Sequence, residues 1–256
     1  MKKQTSEIKG VPLFRNGAAM ISDDDVRQLF RNNLDLLVNN KARKISIEAQ
    51  IYRGKLPHLW ENQHPGGCGR HLSIFDQTNI IPKYCFDCYK VYVVPRTVVE
   101  LFKLMMVFEK IVLPNDNTRK CIVECREEIS GAYKGFVYCR GIEEGTVISR
   151  TVQKAVAEEI SGEVPVTLKR GCSEYALVYP EFEKVEQGRT SMEYREEWQE
   201  KEESVDDTFV ENKPVPRLAF NNPFYASFEA RIMLAWLKYA ATIGDLSYLE
   251  ISGKPI

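Results

Sequence analysis

The chain has 256 residues, 44% hydrophobic and 28% charged, with 35 basic and 36 acidic side chains and a formal net charge of −1. This is the composition of a globular protein with a real core. It excludes a globally cationic surface, so any contact with nucleic acid must be a local patch. No apolar run approaches the roughly 18 residues that span a bilayer. The basic start, Met1-Lys2-Lys3, is not followed by the apolar stretch of a signal peptide. The expected setting is therefore cytoplasmic, with no membrane contact, and there the seven cysteines read as thiols or metal ligands instead of disulfides.

Residues 1–20 look irregular. Ser22, followed by Asp23, Asp24 and Asp25, is an N-cap with acidic first-turn residues, and Val26, Phe30, Leu34 and Leu37 recur at helical spacing. A helix is predicted over 23–40. Residues 54–84, rich in Gly, Pro, His and Asn, read as a loop-dominated segment.

From residue 88 the pattern becomes regular. The alternation of Tyr89–Val94 predicts a strand, ended by Pro95; Thr97 caps a helix to about Ile111, with Val98, Leu101, Leu104, Met105 and Phe108 along one face. A turn at Pro114–Asn117 leads to a second strand at Lys120–Cys125, and a turn at Ser130-Gly131 leads to a third at Tyr133–Arg140. A helix over 142–160, a fourth strand at Val164–Lys169 and a fifth near Tyr175–Tyr179 follow. The order strand–helix–strand–strand–helix–strand is the split βαβ arrangement of a ferredoxin-like α+β fold, two helices on one sheet face and the other face open.

Residues 181–213 are dominated by Glu, Asp, Lys and Gln, and Glu193–Ser204 reads as an exposed helix or a linker. Asn222-Pro223 opens an amphipathic helix carrying Phe224, Phe228, Ile232, Leu234, Trp236, Leu237 and Tyr239, which Gly244 would end. The expected organisation is thus 1–84, an N-terminal helix plus Cys/His loop; 85–182, the ferredoxin-like domain; 183–215, the charged segment; and 216–256, a docking helix.

Chemistry concentrates in one window. All three histidines (His58, His64, His71) and Cys68, Cys85 and Cys88 fall within residues 58–88. Cys68-Gly69-Arg70-His71 and Cys85-Phe86-Asp87-Cys88 are two short knuckles, each offering two ligands, and tetrahedral zinc needs two such pairs. The expected site is a structural zinc held by Cys68, His71, Cys85 and Cys88. Alternatives are His64 in place of His71, an iron–sulfur cluster with Cys172 as fourth thiolate, or buried thiols with no metal. The zinc deaminase pattern of His-x-Glu and Pro-Cys-x-x-Cys fails, because Glu61 stands one residue too far from His58 and Pro82 two residues too early before Cys85. No phosphate loop or serine nucleophile elbow is present.

Cys121, Cys125 and Cys139 read as small core residues on strands. Cys172 follows Lys169-Arg170-Gly171, cations that could activate its thiol, although no histidine lies near it in sequence. On the predicted strands, Tyr92, Phe136 and Tyr138 lie among Arg119, Lys134, Lys169 and Arg170. Aromatics and cations on an open sheet face are how such sheets stack single-stranded bases and neutralise phosphates. The readings that follow are a zinc-stabilised binding module for single-stranded nucleic acid, a protein–protein adaptor with a protein partner, or an enzyme using an open metal site or Cys172.

Overall fold

The computed structural model describes residues 21–28, 48–51, 67–124, 129–186, 188–206 and 223–256. In chain order these form α1 (residues 23–28), β1 (Glu48–Ile51), α2 (Gly67–Thr78), β2 (Cys88–Val93), α3 (Val98–Lys110), β3 (Arg119–Val123), β4 (Tyr133–Arg140), α4 (Gly141–Glu159), β5 (Val166–Arg170), α5 (Ser173–Val178), α6 (Gln199–Asp206), α7 (Pro223–Ile243) and α8 (Tyr248–Ser252). The fold is mixed helix and strand on an antiparallel sheet ordered β1-β3-β4-β2-β5. Residues 1–20 and 29–40, His58, His64 and Cys125 lie outside the described residues.

The helix starts follow the sequence. The Ser22 hydroxyl accepts from the Asp25 N–H at 3.2 Å, and Asp25 accepts from the Ser22 N–H at 2.7 Å. This reciprocal cap satisfies two otherwise orphaned donors, and those hydrogen bonds hold the Asp25 carboxyl below its usual range. Thr97 caps α3 by accepting from the Glu100 N–H at 3.2 Å.

Strand alternation decides which side of the sheet is core. Tyr89, Val91 and Val93 of β2 pair with Cys139, Val137 and Gly135 of β4, and this set faces α3 and α4. Leu101, Phe102, Leu104 and Phe108 of α3 are fully buried there. Gly135 permits the approach, since a Cβ at that position would stand 2.4 Å from Leu104 Cδ2. Each such apolar side chain contributes roughly 1.5–3 kcal/mol by burial. On α7, Trp236 is fully buried and stacks on Phe102 of α3 at 5.5 Å. Asp245, just beyond α7, accepts from the Val98 N–H (2.7 Å) and the Tyr133 hydroxyl (2.6 Å), tying the C-terminal segment to α3 and β4.

A second apolar cluster gathers Ile74 and Phe75 of α2, Ile80, Ile81, Cys85, Tyr175 of α5, Phe182, Trp198 and Val205. Here two expectations are corrected. Residues 67–78 are a helix and not loop, with Ile74 and Phe75 buried. The fifth strand at 175–179 is instead helix α5, which buries Tyr175. In the charged segment, 196–206 is a 3-10 turn and α6, largely exposed, with Trp198, Glu202 and Val205 on one buried face. Glu202 accepts from the Lys83 N–H at 2.6 Å and pairs with Arg70 at 3.7 Å, so its burial is compensated.

Candidate functional site

Chemistry-bearing side chains collect in two adjoining places, the sheet side turned away from α3 and α4 and a small pocket at its lower end. Residues paired across antiparallel strands point to the same side. Lys120, Phe136, Tyr92 and Thr167 therefore form one row, and Tyr138, Lys90 and Lys169 the next. Tyr92 stacks on Phe136 with centroids 5.3 Å apart. Lys169 Nζ lies 4.6 Å from the Tyr92 ring centroid, Lys90 Nζ 5.2 Å from Tyr138, and Lys120 Nζ 5.8 Å from Phe136. Phe136, Tyr138, Lys90, Lys120 and Lys169 are half-buried, whereas Tyr92 is buried. Burial, followed by the charges of Glu183 and Glu124, pushes the Tyr92 phenol up to about 12.

Of the predicted contact residues, Tyr92, Lys134, Phe136, Tyr138 and Lys169 share this side. Lys134 is 1% exposed and its ammonium is paired with the buried Glu124 carboxylate at 3.0 Å. Arg119 and Arg170 do not share this side. Arg119 is in phase with Cys121 and Val123 on the helix-covered side, where its guanidinium donates to the Phe108 carbonyl (3.0 Å) and meets Asp116 (3.2 Å). Arg170 is buried at the end of β5, 4.5 Å from the Phe182 ring centroid, and donates to the Phe182 (3.0 Å) and Met192 (2.8 Å) carbonyls. Burial pulls its guanidinium below the usual value.

The pocket is lined by His71, Leu72, Tyr84, Cys85, Cys88, Lys90, Gly171, Cys172 and Tyr175. Its volume of about 10 Å³ is room for about one water-sized particle. His71 is buried and stacks on Tyr84 at 5.3 Å. Cys85 Sγ lies 3.3 Å from the Tyr175 hydroxyl, and Lys90 Nζ donates to Cys172 Sγ at 3.1 Å. Burial opposes a charge on Lys90, but Cys172, Tyr138 and Cys88 around it outweigh that and raise it well above the ordinary lysine value. Lys90 is thus an ammonium shared between the pocket and the sheet side.

Three of the four expected zinc ligands, His71, Cys85 and Cys88, reach this one pocket. The fourth, Cys68, lies in the first turn of α2, not in a knuckle, and its side chain is outside the described set. Among the described residues no three His, Cys, Asp or Glu side chains are grouped so as to hold a metal ion. Sequence reasoning passed over Lys90 and Tyr175 as partners of the thiols, because they stand 82 and 90 residues from Cys172 and Cys85 respectively. Among the described residues no helix is long and apolar enough to cross a membrane. Compared with known proteins, the chain matches no family model, no curated protein and no solved structure.

Proposed function

We propose that the chain is a binding module that takes single-stranded nucleic acid on the sheet side opposite α3 and α4. The observation that carries this reading is the pair of rows in which Lys120, Lys90 and Lys169 stand over Phe136, Tyr138 and Tyr92. Phe136 and Tyr138, two residues apart on one strand, offer successive half-buried rings for bases, and the lysines offer charge to phosphates. A net charge of −1 makes this local clustering the only basic feature the reading needs. A ferredoxin-like unit over β2–β5 is part of the proposal: its support is the order β3-β4-β2-β5, all antiparallel, with α3 and α4 packed on one side. Fluorescence anisotropy with a labelled single-stranded oligonucleotide tests the function. Phe136→Ala should weaken binding by about 1–3 kcal/mol, the worth of one stacked base, and the double change Lys120→Glu/Lys169→Glu should also flatten the salt dependence. No binding at low salt, or binding indifferent to both variants, overturns it.

A second reading is favoured by the meeting of His71, Cys85 and Cys88 at one pocket. Zinc would be held by these three and Cys68, would require the three to draw together, and would brace α2 against β2. Elemental analysis of purified protein, with Cys85→Ser as control, decides it; metal-free protein of undiminished stability ends this reading.

A further inference from the structure

β5 is the last strand of the sheet, and residues 182–185 run beside it on the side away from β2. The Glu183 carbonyl accepts from the Arg170 N–H at 3.1 Å. Phe182 before it is fully buried, and Val185 after it packs against the core. Glu183 is therefore held at a fixed place along β5, where its carboxylate takes the Lys169 ammonium at 3.2 Å. Lys169 is the same lysine that stands 4.6 Å from the Tyr92 ring centroid on the sheet side. Burial first, and the charge of Glu183 next, raise the Tyr92 phenol, so this carboxylate bears on the aromatic row as well as on the lysine.

Among the described residues, two carboxylates pair with lysines of this side, and they differ in access. The Glu124–Lys134 pair is buried, whereas the side chains of Glu183 and Lys169 are 26% and 33% exposed. Separating a buried pair leaves an uncompensated charge and is strongly unfavourable. An ion pair that water reaches is weak, so another anion can take the place of its carboxylate. Phosphate is such an anion.

We infer that Glu183 is a built-in competitor of the ligand, its carboxylate holding the Lys169 ammonium in the free protein and giving way to a phosphate of bound single-stranded nucleic acid. The inference rests on the nucleic-acid reading above and assigns the residue that sets the affinity of that site. No covalent bond changes; one counter-ion of Lys169 is exchanged for another. The exchange leaves a signature in salt. A phosphate that meets a lysine releases its condensed cation, and each such contact steepens the salt dependence. Here the displaced Glu183 takes a cation back from solution and offsets that release. Lys169 therefore contributes less affinity and a shallower slope than its position alone would give.

Fluorescence anisotropy of a labelled oligothymidylate, titrated with the full chain over a series of salt concentrations, tests this. Glu183→Gln keeps the size of the side chain and removes its charge. Binding should tighten about two- to fivefold at low salt, and the slope of log K against log salt should steepen by about 0.7, one further phosphate contact. Glu181→Gln removes the same charge from an exposed side chain of the same segment and should change neither quantity. In the Lys169→Met background, Glu183→Gln should no longer steepen the slope. Binding by the native sequence that Glu183→Gln leaves unchanged overturns the inference, as does an equal gain from Glu181→Gln, and in both cases the nucleic-acid reading stands. Absence of binding by every one of these proteins ends that reading and takes this inference with it.

Discussion

Replacing Gly171 with alanine tests how tightly the β5–α5 corner is built. The residue sits at φ +64°, and an L side chain in that left-handed region costs roughly 1–2 kcal/mol. The new Cβ would also stand 2.2 Å from Phe182 Cε1 and 2.9 Å from Cζ. That ring cannot swing aside: it is fully buried, edge-on to Phe86 (5.1 Å) and Tyr175 (5.6 Å), and faced by the Arg170 guanidinium. Overpacking of this kind adds about 1–3 kcal/mol, for a total loss of about 2–5 kcal/mol. Gly188 is the control, because it shares a positive φ of +77° but has nothing within 4 Å of its would-be Cβ. Gly188→Ala should cost only the conformational part, about 1–2 kcal/mol. Urea denaturation followed by circular dichroism, with slopes compared to confirm a common transition, measures both. If Gly171→Ala is no worse than Gly188→Ala, the ring does not confine the corner and the reasoning fails.

The remaining predictions concern burial and charge. Lys134→Met leaves Glu124 buried without its ammonium and should cost about 3–5 kcal/mol, much of it recovered in Lys134→Met/Glu124→Leu; equal stabilities for the single and double variants in chemical denaturation would show that the pair is not coupled. Trp236→Ala should cost about 3–5 kcal/mol, whereas Leu246→Ala, at a side chain 70% exposed, should stay within about 0.5 kcal/mol; similar melting shifts for both contradict the docking of α7. Tyr92 titrates near 12 in the fold against an ordinary 10.0, so the unfolded chain loses this proton first. Its contribution to stability is intact below pH 10 and disappears as pH rises towards 12, and the ultraviolet difference titration between the native sequence and Tyr92→Phe should have its midpoint near 12, not 10.

Local signals made the strand and helix order of residues 88–170 legible. Alternation in Tyr89–Val94 and Tyr133–Arg140 is a two-residue period that neighbours cannot override once one side is core, and Thr97 and Ser22 are caps written in single side chains. What escaped was tertiary. Gly67, Cys68 and Gly69 argue for a turn, and only packing of Ile74 and Phe75 against Tyr175 and Phe182 makes α2 worth its weak propensity. Tyr175–Tyr179 is a short apolar run whose period does not distinguish strand from buried helix. In 196–206 the dense charge concealed Trp198, Glu202 and Val205, whose spacing of four and three is helical. The two misassigned arginines were legible in principle: Arg119 is in phase with the core residues Cys121 and Val123, and Arg170 with Leu168 and Val166, which pack partly buried against the core. The Lys90–Cys172 contact had no local signal at all.

In β2 the proposed binding surface and the core are two phases of one alternation. Tyr89, Val91 and Val93 look towards the helices while Cys88, Lys90 and Tyr92 look the other way. A single inserted or deleted residue within this strand would exchange the two sets, driving an ammonium beneath α4 and leaving valines where lysines meet aromatic rings. Length variation should therefore be confined to the connections, and the six positions of β2 should evolve by substitution alone.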